Sequence, residues 1–263
     1  MTMSMQAAIS QDGTTIAYDR GGAGPPIIMV AGAFNTRSTT APLAAALQDR
    51  FTVLNADRRG RGDSGDTAPY AVQREIEDLG ALIAEAGEAA AVFGYSSGAT
   101  LALEAAAQGV AVTRLALYDA PFVVDEGRPR PPADLAEQLA ELIGAGRRGD
   151  AVELYQRQVI GIPEDVVVQI RDAPFRPRLE EIAHTLVYEA MLVGDLGLPT
   201  ELVASVTAPT LVIDGEHSPP IMHSAAAALV RALPDGRRRT LAGQSHDLVP
   251  NAIVPVLAEF LPS

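Results

Sequence analysis

Residues 90–100 read Ala90-Ala91-Val92-Phe93-Gly94-Tyr95-Ser96-Ser97-Gly98-Ala99-Thr100, and here the apolar run Ala90–Gly94 passes into a helical stretch, Ser97–Gln108. The junction is the pattern G-x-S-x-G centred on Ser96, in the strand–turn–helix context that gives the pattern its chemical meaning. Such a turn is so tight that its central residue adopts a strained backbone and projects its side chain above the end of the strand. Bulky residues two places before and after would collide with the strand and the helix, so both are glycine. The N–H of Ser97 begins the helix and points at negative charge developing beside Ser96. A Ser/Gly-rich helix N-cap is the bland alternative; the strand before and the helix after favour a nucleophile.

Upstream, Met5–Ile9 and Thr15–Arg20 flank Gln11-Asp12-Gly13, an Asp-Gly hairpin signal. Ile27–Val30 is a continuous apolar run, as in a strand covered on both faces. A helix over Ser38–Asp49, a strand over Phe51–Ala56 and a Gly/Arg loop over Asp57–Asp66 follow. Val72, Ile76, Leu79 and Ile83 recur at helical spacing within Val72–Ala86. Beyond the elbow, Leu115–Asp119 reads as a strand. A hairpin followed by strand–helix repeats predicts an α/β fold, a mostly parallel sheet with helices on both faces.

The rhythm stops at Pro121. Helical periods at Ala133–Ala145, Asp150–Ile160, Glu164–Arg171 and Arg178–Val193 are punctuated by Pro129, Pro131, Pro132, Pro163, Pro174 and Pro199. This block is too long for a crossover, so residues 121–207 are expected to form a helical cap inserted into a core of residues 1–120 and 208–263. Thr210–Asp214, Met222–Leu233, Arg237–Leu241 and Ala252–Phe260 resume the strand–helix alternation.

Composition excludes much chemistry. The chain has 263 residues and no Cys, so disulfides, thiolate metal sites and Cys nucleophiles are absent. Its 20 basic residues are all Arg, which removes the Walker-A Lys, the Schiff-base Lys and the Ser–Lys dyad. The four His are His184, His217, His223 and His246, and their scatter lacks metal-ligand spacing. A net charge of −13 opposes nucleic-acid binding. The opening Met1-Thr2-Met3-Ser4-Met5-Gln6 lacks a basic n-region, and no uncharged apolar run approaches membrane-spanning length. A cytoplasmic protein is expected, with a small-molecule substrate, no membrane or nucleic-acid partner, and at most a second copy of itself in a homodimer.

Taken together, these stretches resemble the α/β-hydrolase fold family over essentially the whole chain. Besides the elbow, Ile28-Met29-Val30-Ala31-Gly32 is similar to the family's strand followed by His-Gly. Asp57-Arg58-Arg59-Gly60-Arg61-Gly62-Asp63-Ser64 is similar to its D-x-R-G-x-G-x-S loop. Pro209–Glu216 and Gly243-Gln244-Ser245-His246 match its later strand and its histidine loop. The resemblance implies a serine hydrolase that needs neither metal nor organic cofactor. Ser96 is then the nucleophile and His246 the general base, in the chain order this fold imposes. The N–H groups of Ser97 and Ala33, with Phe34 second, would form the oxyanion hole.

Two departures stand out. Ala31 replaces the usual His before Gly32, and Ser218 occupies the place where the family usually has its Asp. Asp119, Asp214 and Glu216 remain as the acid. Some members, haloalkane dehalogenases among them, carry the acid after the earlier strand, and Asp119 matches that place. Asp247, adjacent to His246, is poorly placed to reach its Nδ1. The Asp57–Ser64 loop reads as a structural turn with internal Arg–Asp pairs. Phe34, Tyr95, Phe122 and Ser218 are expected to line the substrate pocket, with Tyr155, Phe175, Tyr188 and Met191 offered by the cap. The expected substrate is a small-to-medium ester, lactone or related acyl compound; perhydrolysis, carbon–carbon hydrolysis, lyase or cyclase chemistry, and ligand binding without catalysis are the alternatives.

Overall fold

The computed structural model describes residues 3–87, 89–125 and 128–262; Met1 and Thr2 of the opening stretch lie outside them. The Asp-Gly signal becomes a hairpin of β1 (Ser4–Ile9) and β2 (Thr15–Gly21), with Ile9 opposite Thr15. The Asp12 carboxylate accepts the Thr14 N–H at 2.9 Å across the turn. The other strands are β3 (Pro26–Val30), β4 (Thr52–Ala56), β5 (Ala90–Tyr95), β6 (Val112–Tyr118), β7 (Thr210–Gly215) and β8 (Gly236–Leu241). They form one eight-stranded sheet in the order β1-β2-β4-β3-β5-β6-β7-β8. Every pairing from β4 to β8 is parallel, while β2 runs antiparallel to both its neighbours.

Alternation along β3 explains its continuous apolar run. Ile27 and Met29 join the core under α1 (Arg37–Leu47) and α11 (Pro250–Phe260). Ile28 and Val30 join the core under α2 (Val72–Ala86), α3 (Ser97–Ala107) and α10 (Pro220–Ala232). Phe93 of β5 is fully buried on the α1/α11 face, and truncating it to Ala would cost about 3–5 kcal/mol. β3 and β5–β8 point the same way, so the loops after them gather at one sheet edge, where open α/β sheets hold their ligands.

Among the described residues between β6 and β7 lie six α-helices: α4 (Leu135–Gly144), α5 (Arg148–Tyr155), α6 (Glu164–Ile170), α7 (Arg176–Glu181), α8 (Thr185–Val193) and α9 (Thr200–Ala204). Among the described residues this block holds no strand, only an isolated bridge between Val123 and Gly197. Two helices differ from expectation. The segment Asp150–Ile160 is α5 continued by one π-helical turn, Gln156–Ile160, stopped by Gly161 at φ 79°. The segment Arg178–Val193 breaks into α7 and α8, where both the N–H and the hydroxyl of buried Thr185 bond to Ile182 O at 3.0 and 2.8 Å. Among the described residues, no helix is long and apolar enough to cross a membrane.

Candidate active site

Ser96 stands between β5 and α3 with φ 55° and ψ −127°. Among the described residues four non-glycine residues have positive φ, and three of them, Phe34, Ser96 and Asp119, lie in loops at this sheet edge. Backbone strain of this kind gathers where function requires it. Both flanking glycines are sterically required. A Cβ on Gly94 would meet Gly98 O at 2.5 Å, and one on Gly98 would meet Val30 O at 2.3 Å. The Ser96 N–H donates to Tyr118 O at 2.9 Å and fixes the elbow to the end of β6.

The loop after β3 lies against the elbow: a Cβ on Gly32 would sit 2.8 Å from Ser96 Cβ. Among the described residues, neither the Ala33 N–H nor the Ser97 N–H is used by a protein hydrogen bond. With Ala31 in place of the family's His, this loop is held by Arg61, which donates to Gly32 O at 2.7 Å and to Asn35 O at 3.3 Å. The expectation for Arg61 is a self-contained turn with internal Arg–Asp pairs. Instead the arginines of that loop reach outward. Arg59 pairs with Asp78 and Asp12, Arg58 with Glu75 and Glu189, and Arg61 with Glu189. Glu75 and Glu189 are buried, on α2 and α8. Burial works against the Arg58 charge, but Glu189 and Glu75 outweigh it and hold its pKa well above the usual value.

His246 lies in the loop between β8 and α11, with Nδ1 2.9 Å from Asp119 Oδ2. Two phenols clamp this loop from the strands beneath. Tyr95 OH donates to His246 O at 2.6 Å, and Tyr118 OH donates to Ser245 O at 2.5 Å and Asp247 O at 3.1 Å. Burial, followed by the negative charge of Asp119, raises the pKa of both phenols, so they remain donors. Asp119 follows β6 directly. Its φ of 49° turns it out of the strand's alternation, and its N–H donates to Ile213 O at 2.9 Å. Ser218, where the family's acid was expected, donates its hydroxyl to Asp119 Oδ2 at 2.7 Å. Asp119 Oδ1 is buried without a protein partner among the described residues.

The other acids are occupied elsewhere. Asp214 is opposite Thr240 in the β7–β8 register. It accepts from Arg238 at 2.8 and 2.7 Å and from Thr240 at 3.1 Å, and lies 2.6 Å from His223 Nδ1. Burial raises its pKa, but Arg238 and His223 overcome that and leave it below the usual carboxylate value. Glu216 accepts the Gly243 N–H at 2.7 Å on the surface.

Ser96, Ser97, Ala33, Tyr95 and His246 line one cavity of about 230 Å³. Its other walls include Asn35, Arg128, Val159, Ile160, Ile221 and Met222. Of the expected pocket residues, Phe34, Phe122 and Ser218 are not on its walls. The Phe34 ring packs edge-on against Tyr155 with centroids 5.5 Å apart, Phe122 is buried in the core, and Ser218 is turned to Asp119. Tyr155 does line the cavity. Phe175 and Met191 are exposed, and Tyr188 stacks on Tyr70 at 3.9 Å. Among the described residues, no three His, Asp or Glu side chains come together as a metal site.

The profile of the alpha/beta hydrolase family matches residues 27–255. The chain belongs to that family. An alpha/beta hydrolase from Sphaerobacter thermophilus DSM 20745, known from its crystal structure, is 50% identical with a TM-score of 0.91, covering 97% of this chain and 99% of that one. A 2-(acetamidomethylene)succinate hydrolase from Mesorhizobium japonicum is 27% identical over 254 residues, 91% of this chain and 89% of that protein. At the level of fold alone, the structure of 2-hydroxy-6-oxo-6-phenylhexa-2,4-dienoate hydrolase from Rhodococcus sp. strain RHA1 aligns with a TM-score of 0.68 at 20% identity, over 98% of this alpha/beta hydrolase and 99% of that chain.

Proposed function

We propose that this alpha/beta hydrolase cleaves a small carboxylic ester, lactone or related acyl compound through an acyl-enzyme on Ser96. The observation that carries the reading is Ser96 on a strained elbow, facing the same cavity as a histidine whose Nδ1 lies 2.9 Å from buried Asp119. With Nδ1–H held by Asp119, His246 Nε2 takes the proton of Ser96 as Oγ bonds to the acyl carbon. The N–H groups of Ala33 and Ser97 receive the oxyanion. Its collapse breaks the bond to the leaving group, which departs with the proton from His246. Water then repeats the sequence on the acyl-serine, giving a carboxylic acid and restoring Ser96. Asp119 stabilises the imidazolium formed in each half. Residues 121–207 act as a lid that shapes and dries this site.

A second reading keeps the site and cleaves a carbon–nitrogen or carbon–carbon bond instead. It draws support from the likeness to the 2-(acetamidomethylene)succinate hydrolase. A fluorophosphonate is expected to label Ser96, located by peptide mass mapping, and Ser96→Ala should lower ester turnover by several orders of magnitude. Label on another serine, or a Ser96→Ala protein with near-wild-type turnover, overturns the serine mechanism. Rates on a matched ester and amide then separate the two readings.

A further inference from the structure

We infer that Arg128 is an anion-recognition residue of the catalytic cavity, and that the substrate carries a carboxylate held by its guanidinium while its acyl carbon lies at Ser96. This deepens the hydrolase reading and rests on it.

Arg128 lies in the loop between β6 and α4 and is half-buried. Besides His246 it is the one basic side chain among the described residues that line the cavity, and none of those described residues is a carboxylate. The rest of the lining is apolar or uncharged: Val159, Ile160, Ile221 and Met222 from the lid side and α10, Asn35 and Tyr95 from the core. A cation facing an apolar space gives up hydration, and proteins normally compensate with a counter-charge. The arginines buried more deeply than Arg128 obey that rule. Arg58, Arg59, Arg61 and Arg176 each pair with at least one carboxylate. Among the described residues Arg128 has no such pair, and its hydrogen bond runs to the backbone oxygen of Val159.

Its position is nonetheless a built one. The guanidinium lies flat against the left-handed Gly161 that ends the π-helical turn. A Cβ there would meet Arg128 Nη2 at 3.0 Å and Cζ at 3.3 Å. Glycine thus admits the side chain, and Val159 O takes one of its five donors. Burial draws its pKa below the usual value, the direction expected of a desolvated cation without a counter-ion. A guanidinium still keeps its charge at any working pH. Forked donors next to a small apolar space suit a carboxylate. A cavity of about 230 Å³ is below the usual range for drug-sized ligands. The substrate class is therefore a compact acyl compound with a free carboxylate, such as a half-ester or half-amide of a short dicarboxylic acid.

The test compares the p-nitrophenyl half-ester of glutaric acid with p-nitrophenyl 5-methylhexanoate, its neutral near-isostere. Wild type is expected to prefer the half-ester in kcat/KM. In Arg128→Met that preference should fall by about 10- to 100-fold, mainly through KM, as for loss of a charge-assisted hydrogen bond. Arg128→Gln, which keeps a donor for Val159 O, should lose the preference as well and guards against a folding defect. A second arm does not depend on turnover: glutarate binding to Ser96→Ala by calorimetry, with and without Arg128→Met. Weaker glutarate binding in the double variant supports the inference even if no ester is cleaved, an outcome that would count against the serine mechanism alone. An unchanged preference together with unchanged glutarate affinity overturns the inference and leaves the serine mechanism standing.

Discussion

Asp119 and Asp214 end neighbouring parallel strands, both are buried, and each meets the Nδ1 of a histidine, at 2.9 Å from His246 and 2.6 Å from His223. Yet their surroundings are opposite. Asp214 keeps the strand's alternation and faces the side chains of Arg238 and Thr240, two apart on β8 and so on one face. Its charge is already compensated. Asp119 leaves the alternation through its left-handed backbone and meets only the neutral Ser218 hydroxyl besides His246, with Oδ1 unpartnered among the described residues. The cation that completes its environment is the imidazolium itself. The lesson is that two Asp–His contacts of similar length differ in what else the carboxylate meets, and the proposed mechanism uses the one without a second cation.

The sharpest way to break this comparison is Asp119→Asn. The amide no longer fixes the His246 tautomer or stabilises its cation, and kcat on an activated ester should fall by about 10⁴-fold. The matching Asp214→Asn should leave kcat within a few-fold and instead weaken the β7–β8 edge by about 1–3 kcal/mol, seen as a lower urea midpoint. If Asp214→Asn abolishes turnover while Asp119→Asn is nearly silent, the roles are reversed.

Acid titration sharpens the same contrast. The folded pKa of Asp214 is below its unfolded value, so its contribution to stability is present above the ordinary carboxylate range and is lost as pH falls through the folded value. Urea midpoints measured from pH 6 down to 3 should therefore decline less steeply in Asp214→Asn than in wild type. The smallest effect belongs to Ser218→Ala. It removes one neutral donor from Asp119, and kcat should drop by about 3- to 10-fold with the fold intact. A loss as large as that of Asp119→Asn would mean that the hydroxyl does more than tune the carboxylate.

The strand–helix series was legible because each step leaves a local signature: the apolar run of Ile27–Val30, the helical period of Val72–Ala86, the glycines around Ser96. Boundaries slipped where periodicity does not report the backbone's own bonding, as at Thr185, whose N–H and hydroxyl both turn back to Ile182 O between α7 and α8. The site was harder to read. Asp119 could be named because the usual acid position holds Ser218, but that Ser218 turns toward the same carboxylate is a contact across 99 residues. Arg61 bracing Gly32 spans 29 residues, and nothing local distinguishes it from its neighbours Arg58 and Arg59. Phe34 and Phe122 were expected in the pocket for being aromatic and near the right loops. Their rings instead serve packing, a choice made by backbone direction rather than residue type.

The buried cluster of Arg58, Arg61, Glu75 and Glu189 has a consequence for remodelling this enzyme. Glu189 belongs to α8, whereas both arginines belong to the loop after β4, and Arg61 also grips the carbonyl of Gly32. Exchanging the helices between β6 and β7 for a foreign segment would leave Arg58 with Glu75 alone and Arg61 without its paired carboxylate, a strongly destabilising arrangement. The damage would surface beside Ser96, because the same guanidinium holds the loop that carries Ala33. A transplanted segment must therefore bring a carboxylate to the place of Glu189, or the arginines must be replaced along with it.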